Sequence, residues 1–249
     1  MKKLSFLITG VTFLIAFTGN AQDAKEIVRL SDAHVRGKTM NGQMTIKIVR
    51  PDYTREMSMN IWAKGTQYSL VLVTAPAKDK GTTFLKRVKE VWDWVPTLER
   101  TIKLPPSMMS QSWMGTDFTN DDLVKETSIV DDYNHTILGE EMMGDRMCWK
   151  IQLIPKPSAA IVWSKVICWI DKKDYLELKT ESYDDEGKLV NTLKASDVKM
   201  LGGRILPATL EMIPSDKPGH KTIITYQSEE FDKPISDDFF STQNMKNPK

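Results

Sequence analysis

The chain is predicted to be mainly β, with a few helices: a strongly curved antiparallel sheet or barrel of about 11 strands, one N-terminal helix, and a helical or loop insertion. Three observations predict this. Apolar and polar residues alternate over most of the sequence, and short Gly, Asp, Asn and Pro turns separate the alternating runs. One stretch, 96–125, breaks the pattern.

The chain of 249 residues opens with Lys2 and Lys3, an apolar run from Leu4 to Phe17, and then Gly19-Asn20-Ala21. This pattern predicts a secretory signal peptide over residues 1–21, cleaved after Ala21; its apolar run is too short to span a bilayer. No cysteine stands at the new N-terminus to take a lipid anchor. Residues 22–249 are therefore expected to form one exported domain with no transmembrane segment. Losing Lys2 and Lys3 leaves 32 basic against 33 acidic residues, so there is no electrostatic case for nucleic acid.

Ala24, Ile27 and Val28 recur at helical spacing after Asp23, with Lys25, Glu26, Arg29 and Asp32 on the other face and Gly37 as a stop. From Gly42 the period becomes two. Met44, Ile46 and Ile48 alternate with polar neighbours, as do Met57, Met59 and Ile61, with Arg50-Pro51-Asp52-Tyr53 as the turn between them. A third run spans Tyr68 to Thr74, and a fourth follows the loop from Pro76 to Gly81. Seven more run between His135 and Gln227, separated by turns such as Met143-Gly144-Asp145 and Leu201-Gly202-Gly203. Within the insertion, Thr119 or Asn120 can cap a helix whose first turn holds Asp121 and Asp122.

Chemistry-bearing patterns are sparse. Asp117, Asn120, Asp121 and Asp122 lack the spacing of a calcium loop, and helix capping accounts for three of them. His34, His135 and His220 are dispersed, neither cysteine has metal-ligand spacing, and no nucleophile elbow, phosphate loop or dinucleotide fingerprint occurs. The expectation is a protein that is not an enzyme and carries no metal or cofactor. Cys148 and Cys168 sit in neighbouring strand-like runs. They form a disulfide if the register sets them opposite each other, and are two small buried side chains otherwise.

Methionine and tryptophan are concentrated at Met57, Met59, Trp62, Trp92, Trp94, Met108, Met109, Trp113 and Met114. Adaptable methionine beside broad tryptophan walls suits a cavity for flexible acyl chains, and equally suits an ordinary core. Strand parity sets Trp62 on the face opposite Met57 and Met59.

The segments V-R-P-D-Y-T-R-E-M-S-M-N-I-W (49–62), T-A-P-A-K-D-K-G-T (74–82), W-D-W-V-P (92–96), K-L-P-P-S-M-M-S-Q-S-W-M-G-T-D-F-T-N-D-D-L (103–123) and V-W-S-K (162–165) resemble the bacterial outer-membrane lipoprotein-sorting proteins of the LolA-like group. The resemblance implies a single half-open β-barrel around an apolar cavity with a helical lid. It also implies a periplasmic carrier that sequesters acyl chains of lipoproteins or other lipids and transfers them toward the outer membrane, with an RND-type lipid exporter or another envelope membrane protein as partner. The alternative is a lipid- or lipoprotein-sensing module that regulates an envelope partner. On either reading the lipid-binding and lid residues are expected among the nine methionines and tryptophans named above, with residues 108–123 as the lid.

Overall fold

The computed structural model describes residues 23–248, except 89, 121, 123–128, 158 and 160. The expected signal peptide lies outside the described residues. Helix α1 (Ala24–Arg36) begins at Asp23, whose carboxylate accepts from Lys25 N at 3.1 Å, and ends at Gly37, whose positive φ of 63° with extended ψ suits glycine alone. Ala24, Ile27, Val28 and Ser31 are its buried stripe, while Glu26–Arg29 and Asp32–Arg36 pair at one-turn spacing away from it.

Among the described residues thirteen strands form one antiparallel sheet: β1 (Thr39–Val49), β2 (Thr54–Lys64), β3 (Tyr68–Ala75), β4 (Thr83–Arg87), β5 (Glu90–Val95), β6 (Arg100–Lys103), β7 (Tyr133–Met143), β8 (Arg146–Pro155), β9 (Lys165–Asp171), β10 (Glu177–Tyr183), β11 (Leu189–Leu201), β12 (Arg204–Pro214) and β13 (Lys221–Phe231). Their order is β6-β5-β4-β3-β2-β1-β13-β12-β11-β10-β9-β8-β7. Two hairpin meanders are thus joined by β1 against β13, and β6 and β7 remain as edges of an open curved sheet. The count exceeds the expected 11 because the fourth run divides into β4 and β5, and the stretch expected as an insertion, 96–125, contributes β6 near its start. Arg87 pairs with Glu90, so the chain reverses within two residues, and Val88 takes φ 58° there. A β-branched residue in that region carries no turn signal, which is why alternation alone reads straight through it.

Directly paired residues of an antiparallel sheet share a face. The inner face is covered at both flanks. On one flank α1 packs its stripe onto Tyr133, Trp149, Ile151, Leu153, Val166, Cys168 and Ile170. On the other, Trp113 from the insertion packs onto Met44, Ile46, Ile48, Met57, Met59, Val71, Val73 and Phe84. The outer face of β2–β5 has its own cover, the segment after β13. Its Phe240 and Met245 are fully buried against Leu70 and Leu85, and Thr83 Oγ1 donates to Met245 O at 2.7 Å.

The pairing across β8 and β9 sets Cys148 opposite Asp171 and Ile151 opposite Cys168. The two cysteines are therefore three positions out of register and on opposite faces, and both are free. The disulfide allowed by strand proximity does not form, since a bridge requires Cβ vectors that point toward each other. Among the described residues no helix is long and apolar enough to cross a membrane.

Candidate functional site

The insertion enters the inner face as a small built loop. Ser112 pairs with Thr119, Trp113 N donates to Phe118 O at 2.9 Å, and Thr116 N donates to Trp113 O at 2.9 Å. Between these last two residues Met114 (φ 50°) and Gly115 (φ 78°) are both left-handed, as a tight type I′ reversal requires. The reversal drives Trp113 inward to 2% exposure, edge-on to Phe84 with ring centroids 5.2 Å apart.

Two arginines hold the loop to the sheet. Arg50, just after β1, donates to Asp117 Oδ2 at 2.9 Å and to Gly115 O at 2.8 Å. Asp117 also accepts from Thr222 Oγ1 at 2.7 Å, so the ion pair bridges β1, β13 and the loop. Arg55 donates to Asp79 Oδ2 at 2.7 Å and to Met114 O at 3.3 Å. Further on, Thr119 N donates to Asp122 Oδ2 at 2.8 Å and Asp122 N donates to Thr119 Oγ1 at 3.1 Å, a reciprocal cap at the expected helix start. Asn120 Nδ2 donates to Met108 O at 2.9 Å. The acidic cluster is thus divided: Asp117 is an ion-pair partner and Asp122 a capping residue, while Asp121 lies outside the described residues, as does 123–128, where the lid helix was expected to continue.

The nine expected binding residues divide by face. Met57, Met59, Trp113 and Met114 come together on the inner face. Met108 and Met109 pack against Val91 and Leu104 at its margin. Trp62, Trp92 and Trp94 lie on the outer face beneath Phe239, Phe240 and Met245, so they do not join an inner cavity. Residue type cannot tell one face from the other. Parity can, and it places Trp92 and Trp94 with Leu85 and Thr83, away from Phe84.

Between the two covered flanks runs an apolar strip that neither α1 nor Trp113 closes. Thr180 pairs with Leu193, Ala195 with Leu210, Leu210 with Ile224 and Ile224 with Ile46, which puts all of them on the inner face. Leu193, Ala195, Leu210, Ile224 and Tyr226 are each partly exposed there. The methionine and tryptophan inventory does not include this strip. Its signal was the alternation of Leu206, Ala208, Leu210 and Met212 along β12.

At one end of the strip Glu229 pairs with Gly42, which puts its carboxyl on the inner face. A Cβ at position 42 would sit 2.5 Å from Ser228 O, so the bulge between Gln43 and Met44 brings the two backbones together only around glycine. Burial pushes the Glu229 carboxyl up to about 7, with Arg204 offsetting part of the effect.

A family model described as an uncharacterized protein matches residues 65–247. Among solved structures, a DUF1329 family protein from Desulfovibrio piger is 21% identical with a TM-score of 0.81, covering 89% of this chain and 97% of its own. A putative outer membrane lipoprotein-sorting protein domain from Vibrio parahaemolyticus is 20% identical with a TM-score of 0.77, covering 90% and 98%. A LolA superfamily protein from Nitrosomonas europaea is 21% identical with a TM-score of 0.74, covering 88% and 98%. No curated protein sequence matches the chain. The open curved sheet is the LolA-like fold these structures share, and the chain belongs to the family of uncharacterized proteins whose model spans residues 65–247.

Proposed function

We propose that the protein is a periplasmic carrier, acting by binding rather than catalysis, that sequesters acyl chains of lipoproteins or other lipids on its inner face and hands them on toward the outer membrane. The observation that supports this is the partly exposed strip of Leu193, Ala195, Leu210, Ile224 and Tyr226 between two apolar flanks. Each methylene buried there contributes about 0.8 kcal/mol, so a medium-length chain binds without any charged contact. The Trp113 loop forms one wall of the strip, and Arg50 and Arg55 set its position. An acceptor that offers a slightly better apolar surface takes the chain; an RND-type lipid exporter or another envelope membrane protein is the partner this reading implies.

Native mass spectrometry with lipid extraction of the freshly purified mature protein tests the reading. Co-purified lipid, or uptake of an acylated probe followed by its passage to acceptor vesicles, is the expected result. Protein that comes without lipid and takes up no acylated probe would refute the carrier. Protein that holds the probe without releasing it to vesicles would instead favour a sensing module.

A further inference from the structure

The apolar strip has a polar end, and that end lies on β13. Tyr226 pairs with Met44 and Glu229 with Gly42, so both side chains leave the sheet on the inner face. Their partners are two positions apart on β1, about 7 Å along the strand. Beyond Glu229 the face is covered: Phe231 is buried with Leu201, Leu206 and Ala208. Arg204 lies over the Phe231 ring at 4.2 Å, and a Cβ on Gly37, where α1 ends, would come within 3.2 Å of the same ring. Glu229 therefore stands where the cover stops and the strip begins. A Cβ at Gly42 would lie 3.3 Å from Glu229 Cγ, so the bare backbone there lets the side chain lie along the wall.

The carboxyl is unanswered and reachable. Among the described residues Arg204 alone brings a positive charge to bear on it, and that guanidinium is committed to Asp232 Oδ2 at 2.7 Å and to His34 O at 2.7 Å. No side chain among the described residues donates to Glu229. Its oxygens are not among the atoms that burial seals off without a partner, which are Arg55 Nε, Asp93 Oδ1 and Trp113 Nε1. The Tyr226 hydroxyl is open in the same way, and burial, followed by the Glu229 charge, pushes it up to about 12. Met40, Gly42 and Met44 on β1 and Ala208 on β12 bring no charge to this corner.

A chain laid on the strip brings its head to this corner. A carboxylate or phosphate head would meet a second negative charge, and a hydroxyl would leave the Glu229 charge uncompensated. An ammonium supplies the missing charge and three donors, one of which the Tyr226 oxygen can accept. We propose that Glu229, with the Tyr226 hydroxyl beside it, is the head-group site of the strip and selects amphiphiles with an ammonium head, whose chain lies over Ile224, Leu210 and Ala195. The proposal rests on the carrier reading and narrows its ligand.

The test is calorimetric titration of the intact mature protein at pH 7 with three probes of equal chain length, decylammonium, decanol and decanoate, each in two buffers of different ionisation enthalpy. Decylammonium should bind about tenfold more tightly than decanol, as expected for one charge-assisted contact, and decanoate should bind least. Its binding should also release a fraction of a proton, because an ammonium favours the ionised carboxyl of a group raised to about 7. Glu229→Gln keeps the shape of the side chain and should abolish both the preference and the proton release. Either signature surviving in that variant overturns the head-group site and leaves the carrier standing. So does an unsubstituted protein that shows no preference for decylammonium, or that binds it without releasing a proton. Failure of all three probes to bind removes both.

Discussion

Arg50 Nη1 lies 2.9 Å from Asp117 Oδ2, and the two side chains are only 9% and 5% exposed. This pair joins the end of β1 to the loop that carries Trp113. Breaking it from one side leaves a buried charge without its partner, which costs about 3–5 kcal/mol. Arg50→Ala should lower stability by that order in urea denaturation and shift tryptophan emission to the red as Trp113 loosens. The double change Arg50→Met, Asp117→Leu should recover much of the loss. A single variant as stable as the parent would show that the loop is held by apolar packing alone.

The outer tryptophans give a contrasting test. Phe240 is fully buried over Tyr68, and Phe239 packs on Trp62. Phe240→Ala should cost about 3–5 kcal/mol through the cavity it leaves. Acylated-probe affinity per folded molecule should be unchanged, because the site lies on the other side of the sheet. Loss of binding in the folded fraction would place Trp62, Trp92 and Trp94 back among the ligand contacts.

Glu229 makes stability depend on pH in a direction opposite to that of a salt-bridged acid. Its folded value is raised from 4.5 to about 7, so between those limits the folded state binds more protons than the unfolded one. Stability should therefore be full below about pH 4.5 and decline as the pH rises through 7, as far as this group is concerned. Comparing thermal melts of the parent and Glu229→Gln across that range checks the sign. The difference between them should grow in favour of the glutamine variant as the pH rises, and a constant difference would contradict the raised value.

The two thiols should be silent in the native protein. Burial pushes Cys148 up to about 11 and Cys168 well above its ordinary value, and they face opposite sides of the sheet. A thiol reagent should find neither in the folded chain and both after denaturation without reductant. A denatured chain with no titratable thiol would mean that they had paired.

Much of this arrangement is legible in the residues. Asp23, the Ala24–Ile27–Val28 stripe and Gly37 define α1 at both ends because capping and periodicity are local. The separation of Met57 and Met59 from Trp62 follows from strand parity and holds in the structure. What stayed hidden depends on tertiary partners. Val88 turns the chain without a turn residue, so β5 was not separated from β4. Phe239 and Met245 lie in single 3₁₀ turns and Phe240 just after the first, each too short for a period to expose them, and without that cover the tryptophans of β5 could not be assigned to the outside. The strip on β11–β13 is defined by what fails to cover it, a property of α1 and the Trp113 loop rather than of its own sequence.

The pairing of β1 with β13 has a consequence for how the molecule assembles. Met40 aligns with Phe231 and Val49 with Lys221, so the seam at the middle of the sheet is made by segments far apart in the sequence. Each meander can zip from its own hairpins, but the join links strands far apart in sequence and must close a very large loop. Folding should therefore be slow, limited by the joining of two half-sheets. A chain that loses β13 would not be a smaller version of this protein, but two pieces with exposed edges and no shared wall between them.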